Sequence, residues 1–143
     1  TAIDFGFVGD VISINNNLLS ALLSQNIIPV FSAITHDGNG QLLNTNADTI
    51  AAEIAISLSK EYDIELIYSF EKKGVLLNSE DENSIIEILD FEKFQLLKEE
   101  KVIHSGMLPK LENCFKSLAN GVQSIIIGNQ NVLKSKIATK IKL

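Results

Sequence analysis

Short apolar runs alternate along this chain with segments whose apolar residues recur at helical spacing, and that alternation constrains the fold more than any other feature. Ile27-Ile28-Pro29-Val30-Phe31, Ile64 to Phe70 and Val122 to Ile127 read as buried strands, the last being the final one. Leu18, Leu19, Leu22 and Leu23 mark a first helix, which Asn26 ends by tolerating the left-handed conformation. Ile50, Ile54 and Leu58, with Ala51 and Ala55 beside them, mark a second from about Ala47 to Lys60. A third runs around Phe91 to Lys98. A fourth opens after Gly106, with Leu111, Cys114, Phe115 and Leu118 on its apolar face and Asn120-Gly121 as its stop. His36-Asp37-Gly38-Asn39-Gly40 predicts a hairpin turn, and the glycine-broken stretch from Asp4 to Ile14 predicts another. Strand–helix–strand order with near-continuous apolar strands implies an α/β fold, a mostly parallel sheet sandwiched by helices. Ligands in such sheets gather at the carboxyl ends of the strands.

A chain of 143 residues suits one domain, 1–143, and shows no internal repeat, linker or low-complexity segment. The formal net charge of -6 argues against binding nucleic acid or an anionic membrane surface. No apolar run approaches the ~20 residues of a membrane span. Thr1-Ala2-Ile3-Asp4-Phe5 lacks the pattern of a signal peptide, so a cytoplasmic protein is expected. The sequence contains no Arg, so any phosphate it holds must be met by Lys, backbone N–H groups or a metal. Cys114, the single cysteine, lies in a helical apolar stripe and reads as a small buried hydrophobe. His36 and His104 share no metal-ligand spacing, and no metal site of the protein's own is expected.

Two helix starts concentrate polar residues. At Asn44-Thr45-Asn46-Ala47-Asp48-Thr49, one reading is capping, with Asn46 accepting from first-turn amides and Asp48 complementing the positive helix end. The other turns these groups toward a ligand, Asn44 binding a carboxylate and Asp48 orienting cations that clamp a phosphoryl group. At Gly106-Met107-Leu108-Pro109-Lys110, a cation sits where it opposes the helix macrodipole. Either Lys110 is solvated at a frayed start, or an anion bound there reverses the sign. Glu71-Lys72-Lys73-Gly74-Val75-Leu76 is a strand-exit loop able to serve as a plain turn or to wrap a nucleotide. It lacks Walker A glycine spacing.

In order, these pieces resemble the acetylglutamate kinases of the amino acid kinase family. Gly6-Phe7-Val8-Gly9-Asp10 is similar to their substrate-side hairpin, and Ile28-Pro29-Val30 to the strand that follows. Asn44-Thr45-Asn46-Ala47-Asp48 resembles their Asn-x-Asn-Ala-Asp motif, Gly74-Val75-Leu76 their nucleotide loop, and Gly106-Met107-Leu108-Pro109-Lys110 their Gly-Met-x-x-Lys motif. Ala138-Thr139-Lys140-Ile141 resembles the family's Gly-Thr-basic-Ile ending, with Ala in place of Gly. The resemblance implies ATP-dependent phosphorylation of the γ-carboxylate of an N-acylglutamate in arginine biosynthesis. It makes Lys110 and Asp48 catalytic, Asn44 a substrate ligand, and Phe70, Glu71, Lys72, Lys73, Gly74, Val75, Leu76, Val102, Ile103 and His104 the adenine nucleotide site, with Mg²⁺ bridging the phosphates. A homo-oligomer is implied for the intact enzyme.

Ser69-Phe70-Glu71-Lys72-Lys73 departs from the family's usual Asp-Val-x-Gly loop and is one residue longer. It resembles a Bacteroidetes-type variant, some members of which use N-succinylglutamate instead of N-acetylglutamate. The family's N-terminal half, with its glycine-rich loops, second catalytic lysine and most acyl contacts, is not found in these 143 residues. The chain is therefore expected to be a nucleotide-binding half that is inactive alone. Other members of the family, such as carbamate or glutamate 5-kinases, and a non-catalytic nucleotide- or effector-binding module are the competing expectations.

Overall fold

The computed structural model describes residues 5–103, 106–134 and 137–143. Its main sheet comprises β3 (Glu65–Ser69), β4 (Ile88–Leu89), β5 (Ser124–Gly128) and β6 (Thr139–Ile141), in the order β3-β5-β6-β4. β3 and β5 pair in parallel from Glu65↔Ser124 to Ser69↔Gly128, and β4 pairs in parallel with β6. β6 runs antiparallel to β5, so the sheet is mixed but mostly parallel. Ile125, Ile127 and Ile141 are fully buried at its centre. β5 is not the final strand, as the sequence suggested. β4 and β6 are two and three residues long, with Lys140 in the middle of β6, too short for a hydrophobic period to register.

A separate ribbon, β1 (Ile34–His36) with β2 (Leu42–Asn44), forms the expected hairpin. The Asp37 carboxylate accepts from the Asn39 and Gln41 amides at 2.7 and 3.1 Å, while Gly38 and Gly40 take positive φ. The stretch around Gly6 does not fold back on itself. Val8 instead bridges Asn44 in parallel, with Asn44 N–H donating to Phe7 and Gly9 N–H to Asn44. The expected strand at Ile27–Phe31 is also absent. Ile28 and Val30 are 85% and 93% exposed, because among the described residues no strand lies beside them to satisfy their backbone or cover their side chains.

Among the described residues four helices accompany the sheet: α1 (Asn16–Ser24), α2 (Ala47–Leu58), α3 (Phe91–Glu99) and α4 (Leu108–Ala119). α1, α3 and α4 end alike, with a left-handed residue followed by a backbone bond reaching back to Leu22, Leu97 or Ser117. The left-handed residues are Asn26 (φ 58), Lys101 (φ 56) and Gly121 (φ 102). Only Gly121 lacks the Cβ that makes this conformation unfavourable by about 1–2 kcal/mol, and Asn offsets part of it through local hydrogen bonding. Leu111 and Cys114 of α4 are fully buried, and Phe115 stacks on Phe94 of α3 with centroids 5.0 Å apart.

β6 also anchors the loop that leaves β3. The Val75 amide donates to the buried Thr139 hydroxyl at 2.7 Å. Gly74 passes so close that a Cβ there would lie 2.7 Å from Thr139 Oγ1 and 3.1 Å from its backbone N. Thr139→Val removes the acceptor and leaves a buried N–H unsatisfied. It is expected to lower unfolding free energy by about 1–3 kcal/mol in urea titrations, whereas Thr139→Ser keeps most of the stability. Equal stability of the Val variant and the natural chain would mean that the loop is held by something else.

Candidate functional site

The first turns of α2 and α4 meet beside the carboxyl end of β3. Asn46 caps α2, its side chain accepting from the Thr49 amide at 3.1 Å. Asp48, two residues on, does not turn back to the backbone: its Oδ1 lies 2.6 Å from Lys110 Nζ. The two readings of this helix start are thus divided between neighbours, Asn46 capping and Asp48 reaching across. Asn113 on Thr49 and Lys116 on Glu53 continue the contact, so the two helices lie side by side in the same direction. Lys110 is not the uncompensated cation that its position implied. Among the described residues no side chain caps α4, Pro109 occupies its first turn, and the Asp48 carboxylate offsets the unfavourable charge.

Tyr68, near the end of β3, lies beneath this pair. Its hydroxyl donates to the Asp48 carbonyl at 3.1 Å, and Lys110 Nζ stands 4.5 Å from its ring centroid. Burial, then the Cys114 and Asp48 charges, raise its pKa. Burial likewise pushes the Cys114 thiol from 9.0 up to about 12; Lys110 opposes the shift and Asp48 adds to it. Both groups therefore stay neutral near pH 7, and Cys114 is packing rather than a nucleophile. Sequence reasoning did not single out Tyr68. The available signal was a hydroxyl-bearing ring in an otherwise apolar strand, which needs a buried partner.

A cleft of about 610 Å³ opens over Lys110. Of the residues expected around a nucleotide, Phe70, Glu71, Lys72, Gly74, Val75, Leu76, Val102 and Ile103 line it, but Lys73 does not. His104 lies outside the described residues. Asn44 stands apart from the cleft at the end of β2, its backbone bonded to Phe7 and Gly9 and its side chain exposed. Gly106 and Met107 of the α4 motif line the cleft; Ser79 and Lys101 join it without having been singled out. Its charged lining is Lys72, Lys101 and Lys110 against Glu71, in a chain whose net charge is -6. That contrast suits an anionic ligand. Among the described residues no group of three His, Cys, Asp or Glu could hold a metal ion. No described helix is long and apolar enough to cross a membrane. A second groove, about 420 Å³ between α3 and α4, is lined by Phe91, Phe94 and Phe115 and is away from the Asp48–Lys110 pair.

Comparison with known proteins adds to this geometry. Residues 1–129 match the amino acid kinase family. An acetylglutamate kinase from Phocaeicola vulgatus is 44% identical over 140 residues, covering 98% of this chain and 54% of that protein. One from Cytophaga hutchinsonii is 49% identical over 125 residues, 87% of this chain and 47% of that protein. The chain thus spans about half the length of the curated relatives it matches. Among solved structures, smu.665 from Streptococcus mutans UA159 superposes with a TM-score of 0.80 at 31% identity, covering 96% of this chain and 52% of that one. N-acetylglutamate synthase from Neisseria gonorrhoeae superposes at 0.83 with 20% identity, covering 97% of this chain and 33% of that one, a likeness of fold.

The buried thiol fixes a direction of pH dependence. Its folded pKa of about 12 lies above the ordinary 9.0, so the unfolded chain ionises first as pH rises. This stabilisation is fully present below pH 9 and is lost between pH 9 and 12, with Tyr68 adding to the fall above its ordinary 10.0. Urea midpoints should therefore drop steeply across that window. Cys114→Ala, although less stable at neutral pH, should show a shallower drop, and identical slopes would remove Cys114 as a cause.

Proposed function

Because the chain belongs to the amino acid kinase family, we propose that it is the nucleotide-binding half of an N-acylglutamate kinase, transferring the γ-phosphoryl group of ATP to the substrate's γ-carboxylate. The observation that carries the reading is the Asp48–Lys110 pair, 2.6 Å long, at a cleft whose charged lining is mainly lysine. Its near-whole-chain identity to acetylglutamate kinases supports the choice of substrate class.

The chemistry asks little covalent work of the protein. In-line transfer between two oxygens spreads negative charge over the phosphoryl group, and catalysis is positioning plus neutralisation of that charge. Lys110 provides the neutralisation from a helix start, where free amides add to its pull. Asp48 orients Lys110 and, across the cleft, the second lysine of the other half. Tyr68 braces the pair from below through the Asp48 carbonyl. Val102, Ile103 and the loop from Phe70 to Leu76 receive the adenine end. The separate position of Asn44 on the ribbon suits the α-carboxylate or acyl-amide end of the substrate. Mg²⁺, which keeps several waters and binds through phosphates rather than an all-protein cage, would suit a cleft with so few carboxylates; it would be held mainly by the nucleotide and would supply further neutralisation of the phosphate charge.

The second half is part of the proposal. Phe5, Phe7, Ile28, Val30 and Phe31 are all more than half exposed, and a further unit packed there would cover them and complete the acyl site. The intact enzyme is a homo-oligomer in this reading, and its acceptor is N-acetylglutamate or N-succinylglutamate.

Calorimetry and a hydroxamate assay for acyl phosphate test the proposal together. The 143-residue chain should bind MgADP and make no acyl phosphate. Joined to its second half, it should phosphorylate one of the two acylglutamates. In that enzyme Lys110→Ala should lower kcat about 10²-fold or more with a smaller change in KM, and Asp48→Asn should also lower kcat severely. Turnover by the isolated chain would refute the need for a second half. Unchanged kcat alongside a large loss of stability in Lys110→Ala would make Lys110 a structural residue.

A further inference from the structure

Among the described residues three helices end on a left-handed residue, and one of those residues, Lys101, is ill suited to the position. Asn26 and Gly121 are common there; Lys101 is not. The bonds that close α3, from the Lys101 amide to Lys98 and from the Val102 amide to Leu97, are made by main-chain atoms and would form equally well around glycine. What the lysine adds is a cationic side chain on an exposed residue that lines the cleft of about 610 Å³. Lys110 is engaged by Asp48, but among the described residues no ion pair is made by Lys72 or Lys101. A chain that contains 12 cationic residues and 18 carboxylates nevertheless lines this cleft with three lysines and one carboxylate, Glu71.

We propose that Lys101 is a nucleotide-binding residue whose ammonium pairs with the polyphosphate of the bound adenine nucleotide. The proposal rests on the nucleotide reading of the cleft and adds a contact that the reading does not require, since the base is met by Val102 and Ile103 and the transferred group by Lys110. Because a lysine is a point charge, the contact is electrostatic and weakens with salt.

NMR titrations of the 143-residue chain with MgADP and with adenosine, at low and high salt, provide the test. Lys101→Gln should bind MgADP about tenfold more weakly, as loss of one charge-assisted contact implies, and lose part of the salt dependence while keeping its affinity for adenosine. Lys101→Gly should show the same loss of MgADP affinity while melting at a higher temperature. MgADP binding as tight in Lys101→Gln as in the unaltered chain overturns the proposal and leaves Lys101 a cation that complements the carboxyl end of α3. A Lys101→Gly chain that melts lower overturns it as well, because the lysine would then serve the fold. Failure of the unaltered chain to bind MgADP overturns the nucleotide reading itself, and is distinguishable because it appears without any substitution.

Discussion

The parallel pairing of β3 with β5 is the constraint on which the rest of the site depends. Parallel neighbours cannot be joined by a tight turn, so the chain leaving Ser69 must cross back to the other end of the sheet before Ser124. That crossover contains the Phe70–Leu76 loop, β4, α3 and α4, and with them every residue that lines the cleft. The return along α4 places that helix's positive end near the exit of β3. α2, lying beside α4 in the same direction, brings Asp48 to the same place.

Around that meeting point the electrostatics are arranged in layers. An ion pair partly open to solvent is worth little to stability by itself. Here it stands on two groups, Tyr68 and Cys114, that burial keeps uncharged near neutral pH. Lys110 thus stands over an aromatic face whose hydroxyl is taken by the Asp48 carbonyl, and Cys114 close by is buried and neutral. A side chain held in this way is oriented without being neutralised by the core. Orientation of a cation toward a cleft is what an anion-handling site requires.

Much of this was legible in the residue order. Helical spacing identified all four helices, Asn26 and Gly121 marked two of their ends, and the Asp37 turn placed the ribbon. Asp48 and Lys110 stood out as charged residues at helix starts, and their union follows from packing that no spacing rule encodes. Ile27–Phe31 misled because an apolar run announces only that it will be covered, not that the cover belongs to the same stretch of chain. Lys101 was invisible for the opposite reason. Its left-handed backbone is imposed by the end of α3, and lysine is not a residue that signals such an end.

Thr139 has a bearing on how the molecule is made. β6 sits between β5 and β4 in the sheet although it follows both of them along the sequence. During synthesis, then, β3 and β5 can zip together while β4 still has no neighbour, and the loop at Val75 waits with its amide unanswered until Thr139 emerges. The wall of the cleft is completed by a strand distant in sequence, and non-local contacts of that kind are slow to form. A nascent chain stalled before β6 would hold most of a hydrophobic core and only an unfinished pocket.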